Sequence, residues 1–313
     1  MAYPRPPVDA RAGSRTTQLA APDARSGAEA GGPRVAFRWL ETLWIQVAGT
    51  LCNIACRHCF VSCGPTATQL PMMSVEEVQR ALDQGAEAGM RHVYFTGGEP
   101  FLHPEIRTLV DRALEVAALT VVTNGILLDA ETVAWLAEAF ARATSSLDLR
   151  VSLDGATAER NDAVRGRGTF GRIVAALERL GRAGLSPVVT VVEHEAGLEG
   201  AEARAGFLAF VRSLGIERPR VKFLPLLRIG REERRTHGYH GPLGDEPLLP
   251  AVESSLLCAT GRCVTARGVS TCPILVEHPG ARLGSTLAEA SRDIRLGWSA
   301  CQSCVLDGLR CNT

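Results

Sequence analysis

The sequence predicts an α/β protein built on a parallel sheet, followed by a small cysteine-rich region. Three observations carry this. Short β-branched or aromatic runs recur, an amphipathic segment follows most of them, and polar or glycine-rich clusters stand directly after four of the runs. Six such units before residue 230 fit an open parallel sheet or part of a (β/α) barrel.

In chain order, the predicted strands are Leu43–Val47, His92–Phe95, Leu119–Thr123, Leu147–Ser152, Val188–Val192 and Val221–Leu224. Between the first two, Ser74 and Glu77 form a capping box. It starts a helix over 75–88 whose apolar face is Val75, Val78, Leu82 and Ala86. Asp129 caps a helix with Val133, Leu136, Ala137 and Phe140 inward. Thr169 precedes Phe170, Ile173, Val174, Leu177 and Leu180, and Phe207, Phe210, Val211 and Leu214 face one side before Gly215. Residues 283–297 read as a helix or a turn. Residues 1–40, rich in Pro, Arg, Ala, Gly and Ser, read as a disordered arm. The divisions are therefore 1–40, a core over 41–235, and a C-terminal domain over 236–313.

Lys+Arg and Asp+Glu both number 34, so no global charge bias points to nucleic acid or an anionic membrane. No apolar run reaches the roughly 18 residues of a membrane span, and the N-terminus lacks the apolar stretch of a secretion signal. A cytoplasmic location is expected, with neither a membrane nor nucleic acid as partner.

Ten cysteines fall into two groups, at 52, 56, 59 and 63 and at 258, 263, 272, 301, 304 and 311. A chain with 46% hydrophobic residues does not need disulfides to hold its core, and clustered thiols in a reducing compartment favour metal. Three thiolates on the short loop LCNIACRHCF, residues 51–60, suit a [4Fe-4S] cube, which can leave one iron open to a small molecule. Zinc with Cys63 as fourth ligand is the alternative. The second strand runs into TGGEP, 96–100. There Gly97 and Gly98 permit close backbone approach, and Glu99 can accept from a cationic amine. The third ends in TNG, 123–125, and the fourth in SLDG, 152–155, at the end where active sites of such folds gather.

CNIACRHC, with Cys52, Cys56 and Cys59, resembles the CxxxCxxC signature of the radical S-adenosylmethionine (radical SAM) superfamily, and GGEP at 97–100 is similar to that family's motif contacting the methionine amino group. The resemblance spans about residues 41–230 and implies a partial (β/α)6 barrel. It implies a [4Fe-4S] cluster on Cys52, Cys56 and Cys59 whose open iron binds S-adenosylmethionine. One-electron reduction then gives a 5′-deoxyadenosyl radical that abstracts hydrogen from a substrate. Phe60 would lie beside the adenine. Thr123, Asn124, Ser152 and Asp154 would contact the cofactor's carboxylate and ribose, and Arg165 would hold its carboxylate. His58 is expected to pack behind the site, and Cys63 to be a spare buried thiol.

Behind that core, Cys258 to Pro273 and CQSC at 301–304 resemble the auxiliary-cluster appendages called SPASM and twitch domains. The resemblance implies at least one auxiliary [4Fe-4S] cluster, on Cys258, Cys272, Cys301 and Cys304. Cys263 and Cys311 remain outside it; alternatively Cys263 joins the first site, or two incompletely ligated clusters form. A zinc knuckle is also compatible with the CxxC spacing. As free thiols, Cys263 or Cys311 would return a hydrogen to the substrate radical. The leading expectation is an oxidoreductase or epimerase acting on a small polar metabolite, with Lys222 and Arg228 as candidate anion contacts. A ribosomal-peptide maturase and a zinc-stabilised interaction protein are the alternatives. A flavodoxin or ferredoxin would be the electron donor.

Overall fold

The computed structural model describes residues 31–193, 200–241 and 243–311. All six predicted strands are present within a residue or two of the expected bounds. The strands are β1 (Arg34–Val35), β2 (Thr42–Ile45), β3 (His92–Phe95), β4 (Ala118–Thr123), β5 (Leu147–Ser152), β6 (Val188–Glu193), β7 (Arg220–Pro225), β8 (Gly261–Thr265), β9 (Gly268–Ser270), β10 (Arg282–Gly284) and β11 (Ile294–Arg295). One sheet runs β10-β9-β8-β2-β3-β4-β5-β6-β7, in which β2 to β7 are parallel neighbours in chain order. This is the mixed sheet of a partial barrel. The cysteine-rich region extends it, because β8 pairs parallel with β2 and turns back as a hairpin into β9.

Helices α1 (Val75–Glu87), α2 (Ile106–Val116), α3 (Ala130–Arg142), α4 (Ala158–Arg165), α5 (Thr169–Arg182) and α6 (Ala201–Ser213) connect the parallel strands. The Ser74–Glu77 capping box forms, and Asp129 caps α3 through Thr132 N. Two faces are rotated from expectation. Helix α1 buries Val78, Ala81, Leu82 and Gly85, leaving Ala86 exposed, and α3 buries Val133, Trp135, Leu136 and Ala139 while Phe140 is 53% exposed. A helix around 283–297 is reduced to one short turn, Leu287–Ala290, between β10 and β11.

Most of the expected arm, residues 1–30, lies outside the described residues. From Arg34 onward the chain is packed rather than loose. β1 pairs with β11, Val35 and Leu40 are buried, and Asp293 takes both Phe37 N and the Arg34 guanidinium. The core is continuous, from Leu43 and Ile45 through Phe95, Leu119, Val121 and Val151 to Val189, with helix residues such as Leu82, Leu109, Leu136 and Ile173 against it. Residues of β2, β4, β5, β6 and β7 line a cavity on the other side.

Candidate active site

The cysteine loop leaves β2 and closes on itself. Cys52 N donates to Gly64 O at 3.1 Å and Gly64 N to Thr50 O at 3.2 Å. The glycines of TGGEP make room for this loop. A Cβ on Gly98 would stand 1.9 Å from Leu51 O, and one on Gly97, whose φ is +128°, would stand 2.9 Å from Gly49 O. Gly98 N and Glu99 N bond Gly49 O and Leu51 O at 2.8 and 3.0 Å. The close approach inferred from sequence is thus of the chain to itself, although both glycines also line the cavity. From far along the chain, Arg231 fastens the loop by donating to the carbonyls of Cys56, Ser62 and Cys63. Gly230, at φ +62°, permits that approach, since a Cβ there would meet Cys59 O at 2.6 Å.

Cys52, Cys56, Cys59 and Cys63 line a cavity of about 230 Å3. Burial pushes Cys52 up to about 12 and also raises Cys56. Cys59 is drawn down to about 6, chiefly by its hydrogen bond with Cys63, whose own thiol is raised by that same bond.

Of the other expected site residues, Phe60, Gly97, Gly98, Thr123, Asn124, Ser152 and Arg165 line the cavity; Glu99 and Asp154 stand behind its wall. Glu99 is fully buried and accepts from Thr123 Oγ1 at 2.7 Å, Asn124 N at 2.8 Å and Phe101 N at 3.1 Å. Desolvation nevertheless raises it to about 7. Its carboxyl ties β3 to the end of β4. Asp154 accepts from Val192 N at 2.9 Å and meets His58 Nε2 at 2.6 Å and Arg165 Nε at 2.8 Å. Burial opposes ionisation of Asp154, but the Arg165 guanidinium and His58 outweigh it, so its carboxyl lies well below the usual range. Arg165 and Asp154 thus form a buried ion pair. Arg165 Nη1 also reaches Cys56 Sγ at 4.0 Å. His58 lines the cavity while packing on Asp154, close to the supporting role expected.

Several lining residues gave no functional signal in the sequence, because each looks like an ordinary strand residue: Trp44, Gln46, Arg150 and Thr190. Lys222 lines the cavity as expected of an anion contact, whereas Arg228 is exposed and outside the lining. Arg150 and Lys222 bring the last described residues to the cavity floor. Arg150 Nη1 donates to Cys311 O at 3.1 Å and Lys222 Nζ to Arg310 O at 2.5 Å.

A second, smaller cavity of about 30 Å3 is lined by Cys258, Cys272, Cys301, Cys304 and Cys311. Its four expected ligands are together, and Cys311 lines both cavities. Cys263 does not. It sits on β8 with no exposure, in a cluster with Trp44 and Tyr94, and lines neither space. Burial raises all of these thiols, with Cys301 and Cys311 near 12. Arg262, wholly buried, braces the region by donating to Cys258 O at 2.7 Å, Ala290 O at 2.8 Å and Arg292 O at 2.8 Å. Among the described residues, no group of three or more His, Cys, Asp or Glu converges as ligands of a single ion would.

The model of the radical SAM superfamily matches residues 47–194. The chain carries a radical SAM domain. Over 150 residues that domain is 38% identical to the mycofactocin maturase MftC of Mycobacterium ulcerans, covering 47% of this chain and 39% of the relative. Over 142 residues it is 36% identical to the GTP 3′,8-cyclase of Chlorobaculum tepidum, covering 44% and 40%. The chain therefore matches about two-fifths of the length of these relatives. In fold it resembles Streptococcus suis SuiB bound to its precursor peptide SuiA (TM-score 0.57, 15% identity, 77% of this chain and 61% of SuiB). It also resembles anSMEcpe with bound AdoMet and the Cp18Cys peptide (TM-score 0.58, 16% identity, 80% and 79%). Both likenesses reach beyond the radical SAM match, which ends before the second cysteine group. No helix among the described residues is long and apolar enough to cross a membrane.

Proposed function

We propose that this chain is a radical SAM maturase that acts on a peptide. The observation that carries the reading is the cavity itself: the four loop thiols and a buried guanidinium line one space at the carboxyl ends of parallel strands, and Cys311 links that space to a second thiol-lined cavity. The named peptide partners of the similar folds, and a maturase as relative, weigh toward a peptide over the small metabolite first expected.

The residues present fit the cofactors. Cys52, Cys56 and Cys59 offer a donor set matched to an iron–sulfur cube, and the buried Arg165, held by Asp154, brings a guanidinium to the lining of the same cavity. Cys258, Cys272, Cys301 and Cys304 would hold an auxiliary cluster, with Cys311 at the passage between the two sites. When bound, the cluster and S-adenosylmethionine would supply reductive sulfonium cleavage and a carbon radical able to abstract hydrogen. The protein's part is positional. Asp154 fixes Arg165 and His58, Glu99 locks the Thr123–Asn124 turn, Phe60 offers an apolar wall, and Gly97–Gly98 hold the cysteine loop against the sheet. That Cys311 lines the cavity and the enclosed Cys263 does not supports Cys311 over Cys263 as the thiol that would meet a substrate radical. Reduction would draw on an external flavodoxin or ferredoxin.

The test is anaerobic reconstitution with iron and sulfide, followed by reductant, S-adenosylmethionine and precursor peptides encoded beside the gene. Formation of 5′-deoxyadenosine with a mass change in a peptide supports the reading. Cofactor cleavage with no peptide altered, but a small metabolite consumed, returns the case to the metabolite enzyme.

A further inference from the structure

Apart from Arg165 Nε, which lies beside the Asp154 carboxylate, three side chains lining the cavity carry a buried polar atom with no hydrogen-bond partner: Trp44 Nε1 and Gln46 Oε1 on the β2 side, and Thr190 Oγ1 on β6. The first two belong to side chains that are themselves deeply buried, at 7% and 2% exposure. Nearly all buried polar groups in folded proteins are satisfied, and leaving one without a partner is destabilising. The indole cannot turn to relieve itself. It stacks on Tyr94 at 4.2 Å and 7°, Tyr94 stacks in turn on His92 at 4.6 Å, and Arg150 donates to the Tyr94 hydroxyl at 3.1 Å.

Trp44 and Gln46 are two residues apart in the chain, so their side chains leave the same face about 7 Å apart. One offers a donor and the other an acceptor. We propose that Trp44 and Gln46 are substrate-reading residues that bind the main chain of an extended peptide, Trp44 Nε1 donating to a peptide carbonyl and Gln46 Oε1 accepting from a peptide N–H. This rests on the peptide reading above and goes further by naming what is recognised: amide groups, independent of side-chain identity.

The variants are Trp44→Phe, which keeps the stack and removes the N–H, and Gln46→Met, which keeps the volume and removes the acceptor. The probe is a synthetic peptide, acetylated and amidated at its ends and centred on the residue that the wild-type chain modifies. Its Kd is measured by calorimetry alongside that of S-adenosylmethionine, and the cluster-free chain is melted as a separate readout. Each variant is expected to weaken peptide binding about three- to tenfold, leave cofactor binding unchanged, and melt at the same or a higher temperature because an unanswered polar group has gone. Unchanged peptide affinity with a lowered melting temperature overturns the assignment and makes the pair structural, satisfied by ordered water. A change confined to S-adenosylmethionine overturns it by giving the pair to the cofactor. If the wild-type chain modifies no peptide at all, the peptide reading itself falls and takes the assignment with it, an outcome visible before either variant is made.

Discussion

The two cysteine-lined cavities are built from similar thiols in opposite settings. The first is spacious, bordered by Arg165, His58, Arg150 and Lys222, and includes a thiol drawn down to about 6. The second is an eighth of its size, mostly apolar in its other lining, and every cysteine in it is raised by burial. An open, charged site can exchange ligands, whereas a tight, apolar one can hold a group in place and pass electrons. On the function proposed above, the first would take cofactor and substrate and the second a resident cluster.

The sharpest way to break this division is to remove one ligand from each site. Cys56→Ala is expected to abolish 5′-deoxyadenosine formation, while Cys301→Ala loses the auxiliary iron but keeps cofactor cleavage without peptide product. Iron and sulfide analysis with product mass spectrometry reads both, and equal loss of cleavage in the two variants would erase the distinction. Next in size is the charge cluster of the first site. Asp154→Asn leaves Arg165 buried without its counter-charge, and should destabilise the cluster-free chain by about 3–5 kcal/mol in urea unfolding. Asp154→Asn combined with Arg165→Met should recover much of that loss.

Glu99 sharpens the comparison through pH. Its folded pKa of about 7 lies above the ordinary 4.5, so the folded chain binds this proton more tightly than the unfolded one. The resulting stabilisation is complete below about pH 4.5 and is lost as pH rises through 7, an effect on the order of 3 kcal/mol. Glu99→Gln should flatten that slope, and an equally steep decline in the variant would assign it to other groups. The smallest effect concerns the loop clamp. Arg231→Lys, which cannot span three carbonyls in a planar fork, should speed iron loss to a chelator about tenfold from the first site alone.

The strands and the cysteine ligand groups were legible because their signals are local. A run such as His92–Phe95 or a spacing such as Cys301–Cys304 carries its meaning within a few residues. Phe140 misled because a helical stripe gives only the spacing of a face; neighbouring packing decided that Trp135 and Ala139 go inward instead. Arg231 and Arg262 were silent because each acts on carbonyls that the sequence does not place near it. Asp154, expected from sequence to contact the cofactor, lies outside the cavity lining, and its ties to His58 and Arg165 bring together three separate segments that no local signal connects.

The sequence alone determined the parallel α/β order, the three-thiol loop and the second cysteine group, since periodicity and ligand spacing are properties of short segments. The tertiary structure decided that the hairpin joins the same sheet as the core, that Cys311 reaches both cavities while Cys263 reaches neither, and that Trp44 and Gln46 line the first cavity while Trp44 Nε1 and Gln46 Oε1 are buried without a partner. Those outcomes depend on which distant strands become neighbours. That is settled by packing the whole core at once, which no single stretch of sequence encodes.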